Sequence, residues 1–400
     1  MKLKLFIPVI LLAIIQLVAF FYYSGFSFIP DIFSKYLVSS FYIFFIFSIL
    51  FFCFFSKEKN KKNFLEKNQE LKINRMDLLV LFFCILLIVK PTIIMLIMGN
   101  TLGFDYVRSN FFSSDIIRGK AFGNMTLAIL VQNYFVPFLW FYTVMMINHE
   151  NSKKREFIFY LFLFSLILFN LSYAGRFYIY FSIIALYIKS IIQQGSLFTF
   201  FRKYLAISSM LIFLSFFILE LRKGEEQIAQ DQPNTLLMLL EYHILQPFFF
   251  SQKVYNGEIY HDGYPFRTLI EGVFAPIFYF LGTDLKELQQ GQYPIIFSNF
   301  TLYSNYSDSY YNAFATFFPY FYSDYGVLAP IFLFFIMIYI LFSSNLISGR
   351  DIRIKFLGFI ALMLYFSLFQ SMILSYGCLI IIFLFPVVNY IWTKLILKKG

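Results

Sequence analysis

Charged residues are scarce in this sequence. Asp, Glu, Lys and Arg together make up 14% of the 400 residues, whereas 60% are hydrophobic. A soluble globular domain carries about 25% charged residues. Apolar runs of about 20 residues recur along the chain, and this is the length that a helix needs to cross a bilayer. The scarcity of charge excludes an ordinary soluble enzyme, and the runs predict an all-α polytopic membrane protein.

Cysteine and histidine are also scarce, with three of each. The cysteines, Cys53, Cys84 and Cys378, all fall inside apolar runs, so they offer no disulfide or zinc framework to a loop. The histidines are too few and too scattered for a metal site by themselves. No Walker or Rossmann glycine pattern is present, and the predicted inner loops are too short for a nucleotide-binding domain. We therefore expect a protein that uses no metal and no cofactor.

The charge that is present is mostly positive, with a formal net charge of +10. Lys and Arg gather in alternate short loops, for example at Lys57–Lys72, Lys153–Arg155 and Arg350–Lys355. Basic residues accumulate on the cytoplasmic side of membrane proteins, so we interpret the charge as a topology signal and expect no nucleic-acid partner. This pattern places both termini in the cytoplasm.

About ten transmembrane helices are predicted, and a large periplasmic loop separates the seventh from the eighth. The first run could pass for a signal peptide, but its length and the lack of a small-residue cleavage site favour a membrane helix. The predicted spans are Leu5–Tyr23, Tyr36–Phe55, Leu78–Met98, Met125–Ile147, Phe157–Tyr173, Phe177–Ile192, Tyr204–Glu220, Val327–Ser344, Phe356–Leu374 and Cys378–Trp392. The domains are therefore residues 1–220 (helices one to seven), 221–325 (the loop) and 326–400 (helices eight to ten).

The long loop, Leu221–Tyr325, is acidic although the whole chain is basic, which supports an outer location. It contains two short apolar pieces, Thr235–Phe250 broken at Pro247 and Phe266–Leu281 broken at Pro276. Each is short for a span, so we expect interfacial or re-entrant helices. If both pieces crossed the membrane, the count would rise to twelve.

The candidate anion-binding residues are arginines at the outer face. Arg176 follows Gly175 in a tight turn between helices five and six, and Arg222 lies where helix seven leaves the membrane. A guanidinium group offers a fixed fork of donors that fits a phosphate bidentately. The alternatives are an arginine that reaches toward lipid headgroups and a solvated helix end.

The candidate proton acceptors lie in the long loop. His261 and Asp262 begin a polar turn that continues through Tyr264 to Arg267, and either could accept a proton from an attacking hydroxyl; the alternative is a surface turn. Asp324 stands near the membrane face, where a lone buried carboxylate is costly. The alternative for Asp324 is a helix N-cap, and both interpretations can hold together.

These pieces together resemble the O-antigen or oligosaccharide repeat-unit polymerases of the Wzy type. The resemblance lies in the ten-to-twelve-helix layout, the late outer loop, the Gly175-Arg176 turn, and the pattern Asn312-x-x-x-Thr316 followed by Tyr322-x-Asp324-Tyr325-Gly326. The stretch from Tyr264 to Leu281 is also similar. The motifs are short, but the layout covers the whole chain.

The resemblance implies a metal-independent membrane glycosyltransferase. Two undecaprenyl-pyrophosphate-linked oligosaccharides meet at the periplasmic face, a hydroxyl of one attacks the anomeric carbon of the other, and undecaprenyl pyrophosphate leaves. The hypothesis assigns His261 or Asp324 as base. It places Arg176 with Arg222 or Arg267 on the pyrophosphate, because fixed cationic donors stabilise a developing negative charge.

By the same resemblance, Tyr264 and Asn312 join the substrate-binding set. The expected partners are the lipid-linked oligosaccharides and the bilayer, and the resemblance allows for a chain-length co-polymerase and a flippase. Two alternatives stay open at this point. One is an O-antigen ligase or another lipid-linked glycosyltransferase, which shares the topology and the substrate. The other is a lipid-linked oligosaccharide flippase or transporter, which would favour internal repeats and several polar mid-span residues.

Overall fold

The structure is a computed structural model of the chain. It describes residues 1–56, 75–104, 106–107, 115–147, 153–172, 175–221, 235–261, 263, 265–267, 302–307, 309–311, 316–369 and 376–397.

The described chain is mainly helical. In chain order the helices are α1 Lys2–Tyr22, α2 Ile32–Phe55, α3 Arg75–Leu102, α4 Asp115–Phe122, α5 Met125–Leu130, α6 Val136–Met145, α7 Lys153–Ser172, α8 Phe177–Gln194, α9 Leu197–Leu221, α10 Thr235–Tyr242, α11 Gln246–Tyr255, α12 Phe318–Tyr325, α13 Ala329–Ser343, α14 Arg350–Ser367 and α15 Tyr376–Leu397. A π turn, Val131–Phe135, joins α5 to α6, and one two-stranded antiparallel hairpin consists of β1 Leu302–Ser304 and β2 Ser309–Tyr311.

Each of the ten predicted spans overlaps one of these helices. Among the described residues, six helical stretches are both long and apolar enough to cross a membrane. These stretches are Lys2–Tyr22, Ile32–Phe55, Phe177–Gln194, Leu197–Ile218, Phe318–Leu346 and Gly377–Leu395. The molecule is therefore a multi-pass, mainly helical membrane protein, with length and composition supporting six of the ten predicted spans.

The chain divides into two compact units that do not follow the predicted domains. The first unit contains Met1, Asn60–Gln232 and Gly349–Leu362, and the second contains Lys2–Lys59, Pro233–Ser348 and Met363–Gly400. The described part of the long loop from residue 235 onward therefore packs with helices of the second unit instead of forming a body of its own.

In the first unit, the π turn between α5 and α6 has a covalent cause. Val136 donates its backbone N–H to the carbonyl of Val131, five residues earlier. The next residue, Pro137, has no N–H to donate to the carbonyl of Asn133, so a regular α-helical ladder cannot continue here. The wider π turn accommodates the position without a donor, so the helix continues from α5 into α6.

Aromatic side chains fill the core of the second unit between α2, α12 and α13. Phe41 stacks on Phe318 with the ring centroids 5.0 Å apart, and at the surface, between α2 and α13, the exposed Phe47 stacks on Phe334 at 5.6 Å. Phe45 meets Phe317 edge to face at 5.6 Å. Offset and edge-to-face contacts of this kind add to the gain from burying large rings. These contacts hold α12, which ends the long loop, against α2.

A buried glutamine in α1 fixes the pair α10–α11 inside this unit. The Nε2 of Gln16 lies 3.0 Å from the carbonyl of His243, 3.1 Å from Oε1 of Gln246 and 3.2 Å from the carbonyl of Leu368. The hydroxyl of Tyr42 donates to Oε1 of Gln16 at 2.7 Å. Three segments distant in sequence therefore converge on one amide that is shielded from water.

The position of Gln16 gives the depth of the α10–α11 break. Gln16 lies six residues before Tyr22, the last residue of α1, which corresponds to about 9 Å along a helix axis. The break at His243 therefore lies below the end of α1, whereas Tyr255 at the end of α11 contacts Phe28 beyond it, with ring centroids 5.9 Å apart. The interfacial or re-entrant form of Thr235–Phe250 stays a prediction.

The break in Thr235–Phe250 was predicted at Pro247, and this position was wrong. The helices are interrupted at residues 243–245, and Pro247 lies in the first turn of α11. Proline fits the first turn of a helix because the N–H there has no intrahelical partner to lose. The second apolar piece, Phe266–Leu281, falls almost entirely outside the described residues.

The β-hairpin was not predicted, and it adds a small sheet to the all-α architecture. Strand β1 pairs further with the turn between α1 and α2: Ser27 donates its N–H to the carbonyl of Tyr303 at 2.9 Å, and Asn305 donates to Gly25 at 2.7 Å. The loop before α12 and the α1–α2 turn therefore lie at the same end of the second unit.

We predict that Gln16→Leu destabilises the protein by on the order of 2 kcal/mol. The substitution leaves the buried Tyr42 hydroxyl and two backbone carbonyls without their partner, and an unpaired buried polar group costs about 1–3 kcal/mol. Thermal unfolding of the purified protein in detergent measures the effect. Ile15→Leu, at an exposed position of the same helix, is the matched control. Equal stability of Gln16→Leu and the control would contradict the role given to this amide.

Candidate functional site

The candidate site lies at the end of the second unit that holds the α1–α2 turn. The hairpin, the end of α11, the turn from His261 to Arg267 and helix α12 all meet there. Phe250 of α11 contacts Tyr322 of α12 with ring centroids 6.0 Å apart. Lys253 and Glu258 form an ion pair between α11 and the segment that follows it. These contacts place the polar turn that begins at His261 next to α12, the helix that carries Asp324.

His261 and the Asp324 segment, which are separated by more than 60 residues, contact each other. The Nδ1 of His261 lies 3.0 Å from the carbonyl oxygen of Ser323. Because a carbonyl can only accept, Nδ1 must carry the proton of this hydrogen bond. In the neutral ring, Nε2 then bears the lone pair, and the side chain is exposed. The imidazole is therefore oriented as a proton acceptor toward solvent.

Gly326 makes this contact possible. Its φ of +58° is a conformation that residues with a side chain rarely adopt. A Cβ at this position would lie 3.2 Å from Cγ of His261, closer than an ordinary contact. The glycine of the Tyr-x-Asp-Tyr-Gly pattern thus allows the imidazole to lie against the backbone at the end of α12.

Asp324 is buried, with 3% of its surface exposed. The alternative of a helix N-cap is wrong, because Asp324 is the seventh of the eight residues of α12. It therefore lies in the last turn of α12, two residues before Gly326.

The rest of the polar turn is held by aromatic contacts. The Phe266 ring meets Tyr325 edge to face at 5.6 Å, and Tyr325 stacks on Phe332 at 4.2 Å. Phe266 has a φ of +64°, which is uncommon for a residue with a bulky side chain. The neighbouring Arg267 is partly buried. The turn is thus fixed against α12 at both His261 and Phe266.

Glu241 is a buried carboxylate at the same end, and the sequence interpretation did not single it out. The hydroxyl of Tyr23 donates to Glu241, and Ser304 of β1 donates to the same oxygen at 2.5 Å. Burial raises the pKa of the Tyr23 hydroxyl, and Glu241 raises it further. The available signal was a single acidic residue inside the apolar piece Thr235–Phe250. This carboxylate links the pair α10–α11 to both the α1–α2 turn and the hairpin.

Arg176 belongs to the first unit, at the start of α8. The N–H of Gly175 donates to the carbonyl of Asn170 at 2.7 Å, which closes the tight turn. The side-chain amide of Asn170 and the indole N–H of Trp140 are buried, and the described residues offer neither of them a hydrogen-bond partner. Trp140 packs on Phe177, the residue after Arg176, at 5.8 Å. The turn that carries Arg176 is therefore packed against residues whose buried side-chain donors a polar ligand could satisfy.

Three further candidate substrate-binding residues, Arg222, Tyr264 and Asn312, lie outside the described residues. Within the parts of the chain that the structure does describe, no group of three or more His, Cys, Asp or Glu side chains is arranged to hold a metal ion.

Comparison with known proteins gives no relative. No family model matches the chain, and neither a curated protein nor a solved structure is similar to it.

We predict that Gly326→Ala loosens the polar turn. The new methyl group would meet the His261 ring in a strained backbone, and the Nδ1 hydrogen bond to Ser323 should weaken. Hydrogen–deuterium exchange read by mass spectrometry should then show faster exchange across residues 259–267. Gly195→Ala is the matched control, because Gly195 has a similar φ of +65° but nothing within 4 Å of its added Cβ. Unchanged exchange in Gly326→Ala would contradict the contact.

Proposed function

We propose that this protein is a membrane glycosyltransferase that joins polyprenyl-pyrophosphate-linked oligosaccharide repeat units at the outer face of a bacterial inner membrane. The observation that carries the proposal is the contact between the His261 turn and the Asp324 helix. These two loop segments supply the predicted proton acceptors, and they meet through the hydrogen bond from His261 to Ser323. A long loop folded only as a surface connection would have no need of this arrangement.

In the proposed reaction, a sugar hydroxyl of one lipid-linked glycan attacks the anomeric carbon of another. The bond to the pyrophosphate oxygen breaks, polyprenyl pyrophosphate leaves with the bonding electrons, and the hydroxyl proton passes to a base. His261 is the preferred base because its side chain is exposed, whereas Asp324 is buried. A positioned base of this kind contributes about 10²–10⁴-fold to the rate.

The leaving group is a pyrophosphate anion, and Arg176 is the proposed residue that stabilises its charge. A guanidinium group fixed before substrate arrives needs little reorganisation when the negative charge develops. Asn170, whose carbonyl closes the Arg176 turn, and Trp140, which packs on Phe177, have buried side-chain donors that would suit the same anion or its sugar hydroxyls. Arg267 and Arg222 remain proposed members of the pyrophosphate-binding set, and Tyr264 and Asn312 of the glycan-binding set.

The proposed location rests on charge and on chain geometry. The basic loops place both termini in the cytoplasm. With that orientation the α1–α2 turn is outside, and the pairing of Phe26 with Ser304 brings the hairpin of the long loop to the same end. The first turn and the long loop thus share a side, as the predicted layout requires.

Two other functions use a similar platform. A ligase would transfer the same lipid-linked glycan to a different acceptor, and the geometry of His261 suits that reaction equally. A flippase would need a route across the bilayer. The Tyr-x-Asp-Tyr-Gly segment, whose glycine accommodates the His261 ring, favours the polymerase.

Deletion and complementation test the function and Arg176 together. Loss of the gene should reduce the surface polysaccharide ladder on a gel to a single attached repeat unit, and the wild-type chain should restore it. Arg176→Ala should fail to restore it, because loss of one preorganised donor costs about 10²–10³-fold. Arg202→Ala, which removes an exposed arginine of the same unit, should restore the ladder.

The gel also separates the alternatives. Loss of all repeat-bearing material after deletion would identify a ligase or a flippase instead. A full ladder with Arg176→Ala would remove this residue from the reaction.

The choice of base gives a second prediction. His261→Gln should lower polymerisation in membranes by about 10²-fold or more, because Gln keeps a donor for Ser323 but cannot accept the proton. Asp324→Asn, which is nearly the same size, should lower it less. The opposite order of the two variants would identify Asp324 as the base and leave His261 as a positioning residue.

A further inference from the structure

Tyr306, in the turn between β1 and β2, is an exposed aromatic side chain of the long loop. It keeps 58% of its surface exposed, whereas Phe317, Phe318 and Tyr320 of the same loop are each 1% exposed and belong to the packed core. An exposed side chain on a hairpin turn normally changes its rotamer freely. The contacts of Tyr306 hold its ring in one position instead.

Three contacts anchor Tyr306 to the turn between α1 and α2 and to the hairpin. Its hydroxyl lies 2.9 Å from Oγ of Ser24, so one of these two groups donates to the other. Its ring packs edge to face on Tyr23, with the centroids 5.6 Å apart. Its backbone N–H donates to Oγ of Ser304 at 3.2 Å. The hydroxyl, the ring and the backbone are therefore all held, although the residue is exposed.

The carboxylate of Glu241 connects two of these anchors. It is fully buried and accepts hydrogen bonds from Tyr23 and, at 2.5 Å, from Ser304. Tyr23 supports the ring of Tyr306, and Ser304 supports its N–H. Packing and hydrogen bonds from a second layer of residues are what keep a binding group in place before its ligand arrives. A buried carboxylate thus preorganises an exposed aromatic ring.

Gly25 leaves the space that the two tyrosine rings occupy. A Cβ at this position would lie 2.5 Å from the hydroxyl of Tyr23 and 2.6 Å from Cδ2 of Tyr306. Both distances are far below an ordinary van der Waals contact, so any other residue would displace the rings. The carbonyl of Gly25 also accepts the N–H of Asn305 at 2.7 Å. The arrangement of Tyr23 and Tyr306 therefore requires a glycine here.

The surface around the Tyr306 ring combines aromatic and polar groups. Ser24 and Asn305 are exposed, and Tyr23 is half-buried. The face of an aromatic ring is negative and attracts the weakly positive C–H groups of a sugar ring. Hydroxyl and amide side chains can pair with the hydroxyls at the edge of the same sugar. A fixed ring with a few polar neighbours is typical of a small-ligand site.

This surface lies at the end of the second unit that carries the candidate active site. Phe28, in the same α1–α2 turn, contacts Tyr255 at the end of α11 with ring centroids 5.9 Å apart. Six residues after Tyr255 the chain reaches His261. The exposed ring of Tyr306 and the proposed base therefore belong to one connected part of the fold.

We propose that Tyr306, Tyr23 and Ser24 form a subsite that binds one sugar ring of the glycan, with the sugar stacked on Tyr306. The inference rests on the proposed function for the nature of the ligand, because that reaction needs an oligosaccharide held while its reacting group meets the base. A ring that is fixed beforehand loses little freedom when the sugar binds. The subsite contributes binding and no reacting group.

Binding of a soluble glycan by the full-length protein tests the subsite. The protein in lipid nanodiscs is titrated with the fluorescently labelled repeat-unit oligosaccharide that mild acid releases from the lipid-linked precursor of the host, and fluorescence polarisation reports the bound fraction. Tyr306→Leu, which keeps apolar bulk but has no ring, should weaken binding about tenfold. Tyr306→Phe keeps the ring and should retain most of the binding. Tyr36→Leu removes another exposed tyrosine, in α2, and should bind like the wild type.

Hydroxyl-radical footprinting of the wild type tests the same contact without any variant. The oligosaccharide should protect Tyr306 from oxidation and leave Tyr36 as reactive as before. Equal oxidation of Tyr306 with and without the oligosaccharide would overturn the proposal and identify Tyr306 as an interfacial tyrosine. Equal binding by Tyr306→Leu and Tyr306→Phe would also overturn it.

Turnover separates the subsite from the proposed reaction. In membranes that polymerise the glycan, Tyr306→Leu should raise KM for the lipid-linked substrate and leave kcat nearly unchanged, because the ring supplies binding alone. Binding of the oligosaccharide by a wild-type protein that does not polymerise would contradict the reaction and support the subsite. Polymerisation by Tyr306→Leu with an unchanged KM would contradict the subsite and support the reaction.

Discussion

The buried amide of Gln16 is the interaction on which the second unit depends. Its Nε2 reaches the carbonyls of His243 and Leu368 and the side chain of Gln246, while Tyr42 donates to its oxygen. In an apolar bundle each of these groups would otherwise be unpaired, at a cost of about 1–3 kcal/mol. One side chain therefore fixes the helix break between α10 and α11 and joins it to α2 and to the end of α14.

The site follows from that anchor through a series of contacts. Because α10 and α11 are held inside the bundle, Glu241 lies where Tyr23 and Ser304 can donate hydrogen bonds to it. These hydrogen bonds hold the hairpin against the α1–α2 turn. The end of α11 then leads into the turn that begins at His261. Aromatic packing of α12 against α2 forms the other side of the candidate site. The loop is thus folded onto the membrane helices at several points, as a positioned reactive surface requires.

Much of the fold could be predicted from the sequence, because apolar length alone specifies a membrane helix. The predicted spans overlap the helices, and Thr235–Phe250, which is short for an ordinary span, forms two short helices. The break in that piece could not be predicted from Pro247, since proline is equally suited to start a helix. The hairpin was also missed: its strands have three residues each, and its pairing with Gly25–Ser27 is a long-range contact.

For the candidate site, residue chemistry was predictable and residue environment was not. The sequence identified His261 and Asp324 as separate polar features, but only the fold brings the imidazole to the carbonyl of Ser323. The N-cap interpretation of Asp324 failed because α12 begins before it, at Phe318. Glu241 and Gln16 were overlooked because a single polar residue in an apolar run does not reveal its partners.

The central claim is that this chain by itself links lipid-bound glycans. The direct test is to reconstitute the purified protein in liposomes with a polyprenyl-pyrophosphate-linked oligosaccharide, without nucleotide sugar and with a chelator present. Glycan length and free polyprenyl pyrophosphate are then followed together. We expect glycans that grow by whole repeat units, with one polyprenyl pyrophosphate released for each new linkage. Movement of the substrate across the bilayer without any growth would contradict the account and identify a transporter.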